Sequence, residues 1–308
     1  MSQKEYDIII IGGGPAGLAA GLYAARAMRK TLVMEKYIPG GQMTLSSGIE
    51  NYPAFGEGIS GTELGQKMEN DAEKFGAEIE AIEAEEIVDE GAHKIIRIKD
   101  GSQYRCKALI LTMGSAARKL GISGETEFLG KGVSNCATCD AMFFRDKDVV
   151  VIGGGDAAVE EGTFLTRYAA QVRIIHRRDQ LRAQKLIQKR AFENPKVEFV
   201  FDTIVTEILG DDKVNAVRTK NVKTEEEKVL ETNGVFIFIG YIPNTSVAKG
   251  LVEMNEREEI IVNQRMETSV PGVFAAGDLL SHTIRQIVTA AGEGATAGFF
   301  ADKYIDNL

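Results

Sequence analysis

The chain of 308 residues is poor in several residue types, and each shortage excludes a class of protein. It has no tryptophan, six prolines, three histidines and three cysteines. Three cysteines cannot form the disulfide framework of a small secreted domain. The histidines, at positions 93, 176 and 282, show no metal-ligand spacing, so we predict no metal site.

Long apolar runs and a basic surface are also missing. No stretch approaches the ~20 apolar residues of a membrane span, and the first residues lack the charged and apolar regions of a signal peptide. The net charge is −9 and the sequence pI is near 5.1. We therefore expect no nucleic-acid partner, no membrane association and a cytoplasmic location.

One pattern occurs twice in a chain long enough for two domains. A buried strand runs into a glycine turn, a helix of small residues follows, and a second strand comes next. The first copy starts at residues 6–11 and the second at residues 148–152. Each copy is the opening of a dinucleotide-binding fold. The sequence thus predicts an α/β protein with two Rossmann-like, three-layer domains.

The first glycine turn carries the three glycines that a bound dinucleotide requires. Gly12 permits a tight turn, Gly14 lets a pyrophosphate approach the backbone, and Gly17 allows close helix–strand packing. Glu35 follows Gly12 by 23 residues, the distance at which a carboxylate can accept hydrogen bonds from a ribose hydroxyl. This site is predicted to prefer an unphosphorylated ADP-ribose.

The second glycine turn, at residues 153–155, is followed by basic residues instead of an acidic one. At the same distance from Gly153 the chain has His176, Arg177 and Arg178, and Arg182 lies beyond them. Guanidinium groups bind a 2′-phosphate that a carboxylate would repel. The second site therefore favours NADP, and the two sites together suggest a flavin and a nicotinamide nucleotide.

Cys136 and Cys139 lie just before the second Rossmann strand, and three interpretations compete for the pair. A structural zinc site needs four ligands, and Cys106 is the one remaining cysteine. Nothing around the pair resembles a thioredoxin-like domain. A redox-active disulfide beside a flavin fits best, and inert thiols are the remaining alternative.

The residue after the pair, Asp140, is our candidate acid. A thiolate formed by reduction of the disulfide must take a proton, and no histidine is near in sequence. This role requires a raised pKa, and the alternative is a carboxylate that caps a helix or turn. Cys106 is predicted to be a small buried thiol in a strand.

Taken together, these motifs resemble the low-molecular-weight thioredoxin reductases over essentially the whole chain. The shared elements, in order, are the first glycine loop with Glu35, the Gly40-Gly41-Gln42 turn, the Cys-Ala-Thr-Cys-Asp segment, the second glycine loop with its His-Arg-Arg cluster, and a late Gly277-Asp278 pair. Asp156 departs from the asparagine or serine common in the family, and we expect it to alter NADPH binding.

The resemblance implies an architecture and a reaction. The FAD domain is discontinuous, residues 1–114 and 246–308, and the NADPH domain with the cysteine pair, residues 115–245, is inserted into it. Electrons pass from NADPH through FAD to the Cys136–Cys139 disulfide and then to oxidised thioredoxin or a thioredoxin-like protein. The family is homodimeric.

The resemblance also assigns cofactor-binding residues. For FAD they are Gly12, Gly14, Pro15, Ala16, Gly17, Glu35, Gly40, Gly41, Gln42, Asn51, Thr112, Gly277, Asp278, Arg285, Gln286 and Ile287. For NADPH they are Gly153, Gly154, Gly155, Asp156, Ala157, His176, Arg177, Arg178 and Arg182.

The inserted segment carries both the NADPH loop and the cysteines, and both must reach one flavin. We therefore predict a domain rotation about two chain crossings, near 114–115 and 242–245. Two other functions stay open: a flavin reductase with dispensable cysteines, and a redox-sensing flavoprotein with slow turnover.

Overall fold

A computed structural model describes residues 4–46, 48–281 and 284–308 of the chain. The first three residues, part of the segment in which we expected no signal peptide, lie outside the described residues. So does His282, to which the sequence assigns no role.

The described residues form seventeen strands and six α-helices. The strands are β1 Lys4–Ile11, β2 Thr31–Glu35, β3 Glu78–Ala81, β4 Ala84–Asp89, β5 Lys94–Ile98, β6 Gln103–Leu111, β7 Ser115–Ala117, β8 Val133–Ser134, β9 Asp148–Gly153, β10 Gln171–Ile175, β11 Val197–Val200, β12 Thr203–Gly210, β13 Val214–Asn221, β14 Glu227–Glu231, β15 Gly234–Phe238, β16 Tyr241–Pro243 and β17 Val273–Ala275.

The helices are α1 Pro15–Arg26, α2 Gly61–Lys74, α3 Ala137–Asp140, α4 Asp156–Leu165, α5 Lys185–Phe192 and α6 Ile287–Asp306. Short 3₁₀ turns cover Gly41–Leu45, Ala141–Phe144 and Ser246–Ala248. Residue contacts divide the chain into two units. We call Met1–Ala116 with Ile242–Leu308 the outer unit, and Ala117–Tyr241 the inserted unit.

The outer unit is built on a seven-stranded sheet in the order β3-β2-β1-β6-β5-β4, with β17 also paired to β6. Strands β1, β2, β3, β6 and β17 run parallel, whereas β4 and β5 form an antiparallel hairpin at one edge. The alternating side chains of β1 enter different cores, Ile9 on one face and Ile8 on the other. This two-sided burial explains the unbroken isoleucine run that predicted a buried parallel strand.

Helices α1 and α6 pack closely together on one face of this sheet. A Cβ added at Gly294 would overlap the carbonyl oxygen of Ala16, and one at Gly298 would lie 2.7 Å from the carbonyl oxygen of Ala20. The small residues of α6 therefore let two helix backbones approach, which brings the end of the chain onto its first helix.

The inserted unit has a parallel five-stranded sheet in the order β11-β10-β9-β15-β8. An antiparallel meander, β12-β13-β14, covers one face of it. Val205 and Val217 of the meander share a core with Val150 and Val235 of the sheet.

The chain crosses between the units twice, and β7 and β16 of the crossings form a two-stranded sheet. Glycines with positive φ, Gly114 at 64° and Gly240 at 107°, flank the crossings. The observed sheets confirm the predicted α/β class. Within the described residues no helix has the length and apolarity to span a membrane.

The α1–α6 contact yields a test with a control in the same helix. Gly294→Ala is expected to destabilise the protein by roughly 1–3 kcal/mol, because the new methyl group meets backbone that cannot move aside. Gly292 of the same helix has no atom within 4 Å of an added Cβ. Gly292→Ala should therefore be neutral or stabilising by up to about 1 kcal/mol. Urea unfolding of both variants measures the difference, and equal effects would contradict the packing argument.

Candidate functional site

The first glycine turn leaves room for a ligand at one position and none at its neighbours. Gly12 has φ 107°, and an added Cβ would lie 2.5 Å from the Thr112 carbonyl oxygen. A Cβ at Gly17 would overlap the Gly12 carbonyl oxygen, whereas Gly14 faces open space. Gly12 and Gly17 are therefore required by the close approach of backbone atoms, and Gly14 leaves open space at the start of α1.

Glu35 lies at the end of β2 against this turn. Its Oε2 accepts a hydrogen bond from the Gly13 nitrogen at 2.6 Å, and its Oε1 accepts one from the Tyr37 nitrogen at 2.8 Å. Each carboxylate oxygen keeps a free lone pair. The backbone therefore fixes the carboxylate and leaves it able to accept from a ribose hydroxyl.

The Gly40-Gly41 turn packs directly on the first glycine turn. The Gly40 nitrogen donates to the Gly13 carbonyl at 2.8 Å. An added Cβ at Gly41 would lie 3.1 Å from the Gly14 Cα. Both residues have positive φ, 105° and 58°, so glycine is needed for the conformation as well as for the close approach.

The segment around Gly277, near the end of the chain, also lies against the start of α1. Gly277, with φ 88°, would place an added Cβ 3.0 Å from the Ala16 Cβ. Its nitrogen donates to Glu293 Oε2 at 2.8 Å. Glu293 escaped the sequence analysis, because a lone acid in a helix of small residues gives no signal of what it contacts.

Two residues proposed as flavin contacts from distant parts of the chain bond to each other. Asn51 Nδ2 donates to Gln286 Oε1 at 2.9 Å, and Gln286 is also the N-cap of α6, which starts at Ile287. Arg285 Nη2 donates to Glu259 Oε1 at 2.9 Å. These contacts place the late residues beside the segment that carries Asn51.

The remaining proposed flavin residues support the turn or begin a helix. The Thr112 hydroxyl donates to the Ile11 and Gly12 carbonyls at 2.9 and 2.8 Å. The Gln42 amide donates to the Ser115 carbonyl. Pro15 begins α1, and Asp278 directly follows Gly277.

This arrangement fits a dinucleotide, although the structure holds no ligand. Helix α1 begins after Gly14, an N-cap residue that supplies no side-chain cap. The first N–H groups of the helix and the helix dipole attract a phosphate. Open space at Gly14 lets the phosphate reach them, so the outer unit has the geometry of an ADP-binding turn.

The inserted unit repeats the turn before α4. Gly155 faces open space, and a Cβ added at Gly153 would lie within van der Waals overlap of the Phe238 carbonyl. Helix α4 likewise begins with no side-chain cap. Ala157 lies in its first turn, and the two glycine turns thus share one geometry.

His176 occupies the position that Glu35 has in the first copy. An added Cβ at Gly154 would overlap the imidazole ring, just as one at Gly13 would meet the Glu35 side chain at 2.9 Å. His176 is 5% exposed, and its Nε2 has no hydrogen-bond partner among the described residues. Burial and the positive charge of Arg182 lower the pKa of His176.

The arginines beside His176 are exposed and available to a ligand. Across residues 4–46, 48–281 and 284–308, no carboxylate forms an ion pair with Arg177, Arg178 or Arg182. The backbone nitrogen of Arg182 donates to the Gly154 carbonyl at 2.7 Å, which anchors its loop to the glycine turn.

Asp156, the departure noted in the sequence, is held in the first turn of α4. Its Oδ1 accepts from the Gln184 nitrogen at 2.7 Å, and its Oδ2 accepts from Gln184 Nε2 at 3.2 Å. The carboxylate thus ties α4 to the start of α5.

Cys136 and Cys139 are joined by a disulfide across the start of α3. This bond argues against the zinc and free-thiol interpretations. Cys106, by contrast, is a buried thiol in β6 of the outer unit, and burial raises its pKa to about 12. It is the small buried thiol in a strand that the sequence predicted, and the raised pKa keeps it protonated at neutral pH.

Asp140 is half-buried beside the pair, and this partial burial raises its pKa, against the opposing effect of a hydrogen bond from Ser134. The Ser134 hydroxyl lies 2.6 Å from Asp140 Oδ2. The sequence analysis missed Ser134, since a single serine at a strand end has no periodicity or spacing that marks it.

Two apolar side chains lie exposed just after the pair. Met142 is 39% and Phe143 45% exposed, while Phe144 of the same 3₁₀ turn is buried in the core. The disulfide is therefore followed by an apolar surface within the inserted unit.

The chain matches the family of pyridine nucleotide-disulphide oxidoreductases over residues 6–294. It is 46% identical to a thioredoxin reductase of Listeria innocua and 47% identical to one of Bacillus subtilis, in each case over 99% of this chain and 96% of the relative. Its fold is similar to the crystal structure of a thioredoxin reductase from Streptococcus pyogenes, with a TM-score of 0.94 and 45% identity over all of both chains.

These similarities confirm the resemblance, the fold class and the type of enzyme that the sequence predicted, an NADPH-dependent flavoprotein oxidoreductase. The redox-disulfide interpretation is also supported, since the relatives share the whole length that carries Cys136 and Cys139. The chain belongs to the pyridine nucleotide-disulphide oxidoreductases and, among them, to the low-molecular-weight thioredoxin reductases.

Proposed function

We propose that this chain reduces the disulfide of thioredoxin or a thioredoxin-like protein with electrons from NADPH. The observation that carries the proposal is the Cys136–Cys139 disulfide followed by the half-buried acid Asp140, whose pKa is raised. Two glycine loops in the same chain would bind the FAD and NADPH that reduce this disulfide.

FAD is the cofactor proposed for the outer unit, residues 1–114 and 246–308 in the predicted division. The support is the fixed carboxylate of Glu35, which suits a free ribose, and the packing of Gly40-Gly41 and Gly277 around the first turn. Bound there, FAD would convert a hydride into the electrons that a disulfide accepts.

NADPH is proposed for the predicted NADPH domain, residues 115–245, which contains the whole inserted unit. The exposed guanidinium groups of Arg177, Arg178 and Arg182 would neutralise a 2′-phosphate. His176 presents a buried, unpartnered nitrogen next to Gly154. The turn itself would hold the pyrophosphate at the start of α4.

The reduced pair would pass its electrons on by thiol–disulfide exchange. One thiolate attacks the partner's disulfide to give a mixed disulfide, and the second thiol of the pair releases the reduced partner. Asp140 protonates a sulfur during reduction of the pair. The exposed Met142 and Phe143 offer apolar contact area to the docking partner.

Reaction in two steps requires the inserted unit to serve both NADPH and the partner. We propose that it rotates about the two crossings at β7 and β16. The positive-φ glycines beside them, Gly114 and Gly240, support this proposal, since glycine tolerates large backbone rotations. A homodimer and a cytoplasmic location are proposed from the resemblance and the scarcity of cysteine.

The exchange step is tested by removing one sulfur of the pair. In Cys139→Ser, NADPH should still bleach the flavin absorbance, while NADPH-driven reduction of thioredoxin should fall by at least about 10³-fold, because no mixed disulfide can be resolved. Stopped-flow absorbance and a dithiol assay measure the two steps.

Cys106→Ala is the matched control, since it removes the buried thiol of the other unit and should keep thioredoxin reduction. Equal turnover of wild type and Cys139→Ser with a non-disulfide acceptor, and no reduction of thioredoxin by wild type, would favour a flavin reductase instead.

Cofactor choice is tested at the arginine cluster. The double variant Arg177→Ala/Arg178→Ala should raise the KM for NADPH by roughly 10–100-fold through loss of charge-assisted hydrogen bonds. The KM for NADH should change little, because NADH has no 2′-phosphate. Arg190→Ala, on exposed α5, is the control. A proportional rise for both nucleotides would refute a phosphate-binding role.

A further inference from the structure

The Ser134 hydroxyl lies within hydrogen-bond distance of three groups beside the redox disulfide. It accepts from the Cys136 nitrogen at 3.0 Å, lies 2.6 Å from Asp140 Oδ2, and lies 3.2 Å from the Cys136 carbonyl oxygen. Ser134 is 4% exposed, so water does not compete freely for these contacts.

We propose that Ser134 is a positioning residue that couples the protonation of Asp140 to the backbone of Cys136 through one shared hydroxyl. The proposal rests on the proposed function of Asp140 as the acid. It adds a residue to the reaction that neither touches a substrate nor exchanges a proton of its own.

The Ser134 hydroxyl has fewer hydrogens than it has acceptors nearby. A hydroxyl has one hydrogen to donate and two lone pairs that accept. The Cys136 N–H takes one lone pair, so the single hydrogen must choose between Asp140 Oδ2 and the Cys136 carbonyl. It cannot serve both acceptors well at once.

The charge on Asp140 determines which of the two acceptors the Ser134 hydroxyl donates to. An ionised Asp140 attracts the hydrogen, and 2.6 Å lies in the range of charge-assisted O–H···O⁻ bonds. A proton on Oδ2 reverses the direction: the carboxyl group donates to the second lone pair of the serine, and the serine hydrogen turns to the Cys136 carbonyl. The hydroxyl therefore bonds to the Cys136 nitrogen and to Asp140 in both states, and to the Cys136 carbonyl only when Asp140 is protonated.

The surrounding backbone is held so that only the hydroxyl turns. Ser134 is paired with Phe236 in the parallel ladder between β8 and β15. The Tyr241 hydroxyl donates to the Asn135 carbonyl at 2.8 Å. A change at Asp140 is therefore transmitted as a hydrogen-bond change at Cys136 rather than as a movement of the loop.

The charged groups on neighbouring elements also have to be considered for their effect on Asp140. Among the residues that follow the pair, Lys147 donates to the Phe143 carbonyl and Arg145 lies over the Tyr168 ring. Helix α4, which packs on α3, carries Glu160 and Glu161, and burial raises the pKa of Glu161. Burial and Ser134 are the two causes that set the pKa of Asp140.

The coupling fits the chemistry of disulfide reduction. Two electrons enter the S–S bond, which breaks to leave two thiolates. Asp140 gives its proton to one of them, which becomes a thiol, and Asp140 becomes a carboxylate. The Ser134 hydrogen then turns from the Cys136 carbonyl to Asp140, and water later returns the proton to Asp140.

The Ser134 hydroxyl affects the pKa of Asp140 in one direction. Donation from Ser134 stabilises the carboxylate and so lowers the pKa of Asp140, against the rise that burial causes. Loss of the hydroxyl should raise this pKa further, by about one to two pH units for a hydrogen bond to a charged group. The acid would then stay protonated to higher pH.

The test uses the small number of cysteines. In ¹⁵N-cysteine-labelled, FAD-loaded full-length protein, the Cys136 amide shift should follow the titration of Asp140, while Cys106 in the outer unit should stay constant. Ser134→Ala should abolish the Cys136 titration, Ser134→Thr should keep it, and Asp140→Asn should remove it. Thr232→Val, which deletes a hydroxyl buried elsewhere in the inserted unit, should behave as wild type.

A pH profile of thioredoxin reduction completes the test. Its alkaline limb should move up by about one to two pH units in Ser134→Ala and return in Ser134→Thr. An unchanged Cys136 titration in Ser134→Ala, or an unmoved limb, would overturn the proposal. If Ser134→Ala does not fold, the wild-type protein alone decides: a Cys136 amide shift that does not change with the titration of Asp140 would also overturn the proposal. Wild type that cannot reduce thioredoxin would refute the proposed function instead, since the amide titration needs no substrate.

Discussion

The close approach of a helix to its own glycine turn is the constraint on which each unit depends. In the outer unit nothing larger than hydrogen fits at Gly17, because the Gly12 carbonyl occupies the space that a side chain would need. The Thr112 hydroxyl bonds to that same carbonyl. The start of α1 is thereby fixed beside open space at Gly14, and the Gly40-Gly41 turn and the late Gly277 gather around it.

The two copies of this turn differ chiefly in the side chain that packs against the middle glycine. Glu35 lies against Gly13 and His176 lies against Gly154. One position carries a negative charge, and the other carries an imidazole next to exposed guanidinium groups. In the proposed cofactor assignment, the carboxylate suits a free ribose, and the guanidinium groups beside the imidazole suit a phosphorylated one.

Much of the local structure could be predicted from the sequence, and the reason is physical. Glycine spacing, the isoleucine run of β1 and the Cys-x-x-Cys pair are set by neighbours within a few residues. The sequence could not reveal that Asn51 bonds to Gln286, since 235 residues separate them. Glu293 at the Gly277 nitrogen and Ser134 at Asp140 were missed for a related reason, because their partners are defined only by the folded backbone.

The central claim is that the Cys136–Cys139 disulfide accepts electrons in addition to the flavin. Anaerobic titration of the FAD-loaded protein with dithionite, followed by absorbance and thiol counting, tests it most directly. Wild type should consume twice the reducing equivalents of the Cys136→Ser/Cys139→Ser variant and should gain two reactive thiols, since the disulfide is a two-electron couple. Equal consumption by both proteins would show that the disulfide takes no part and would contradict the account.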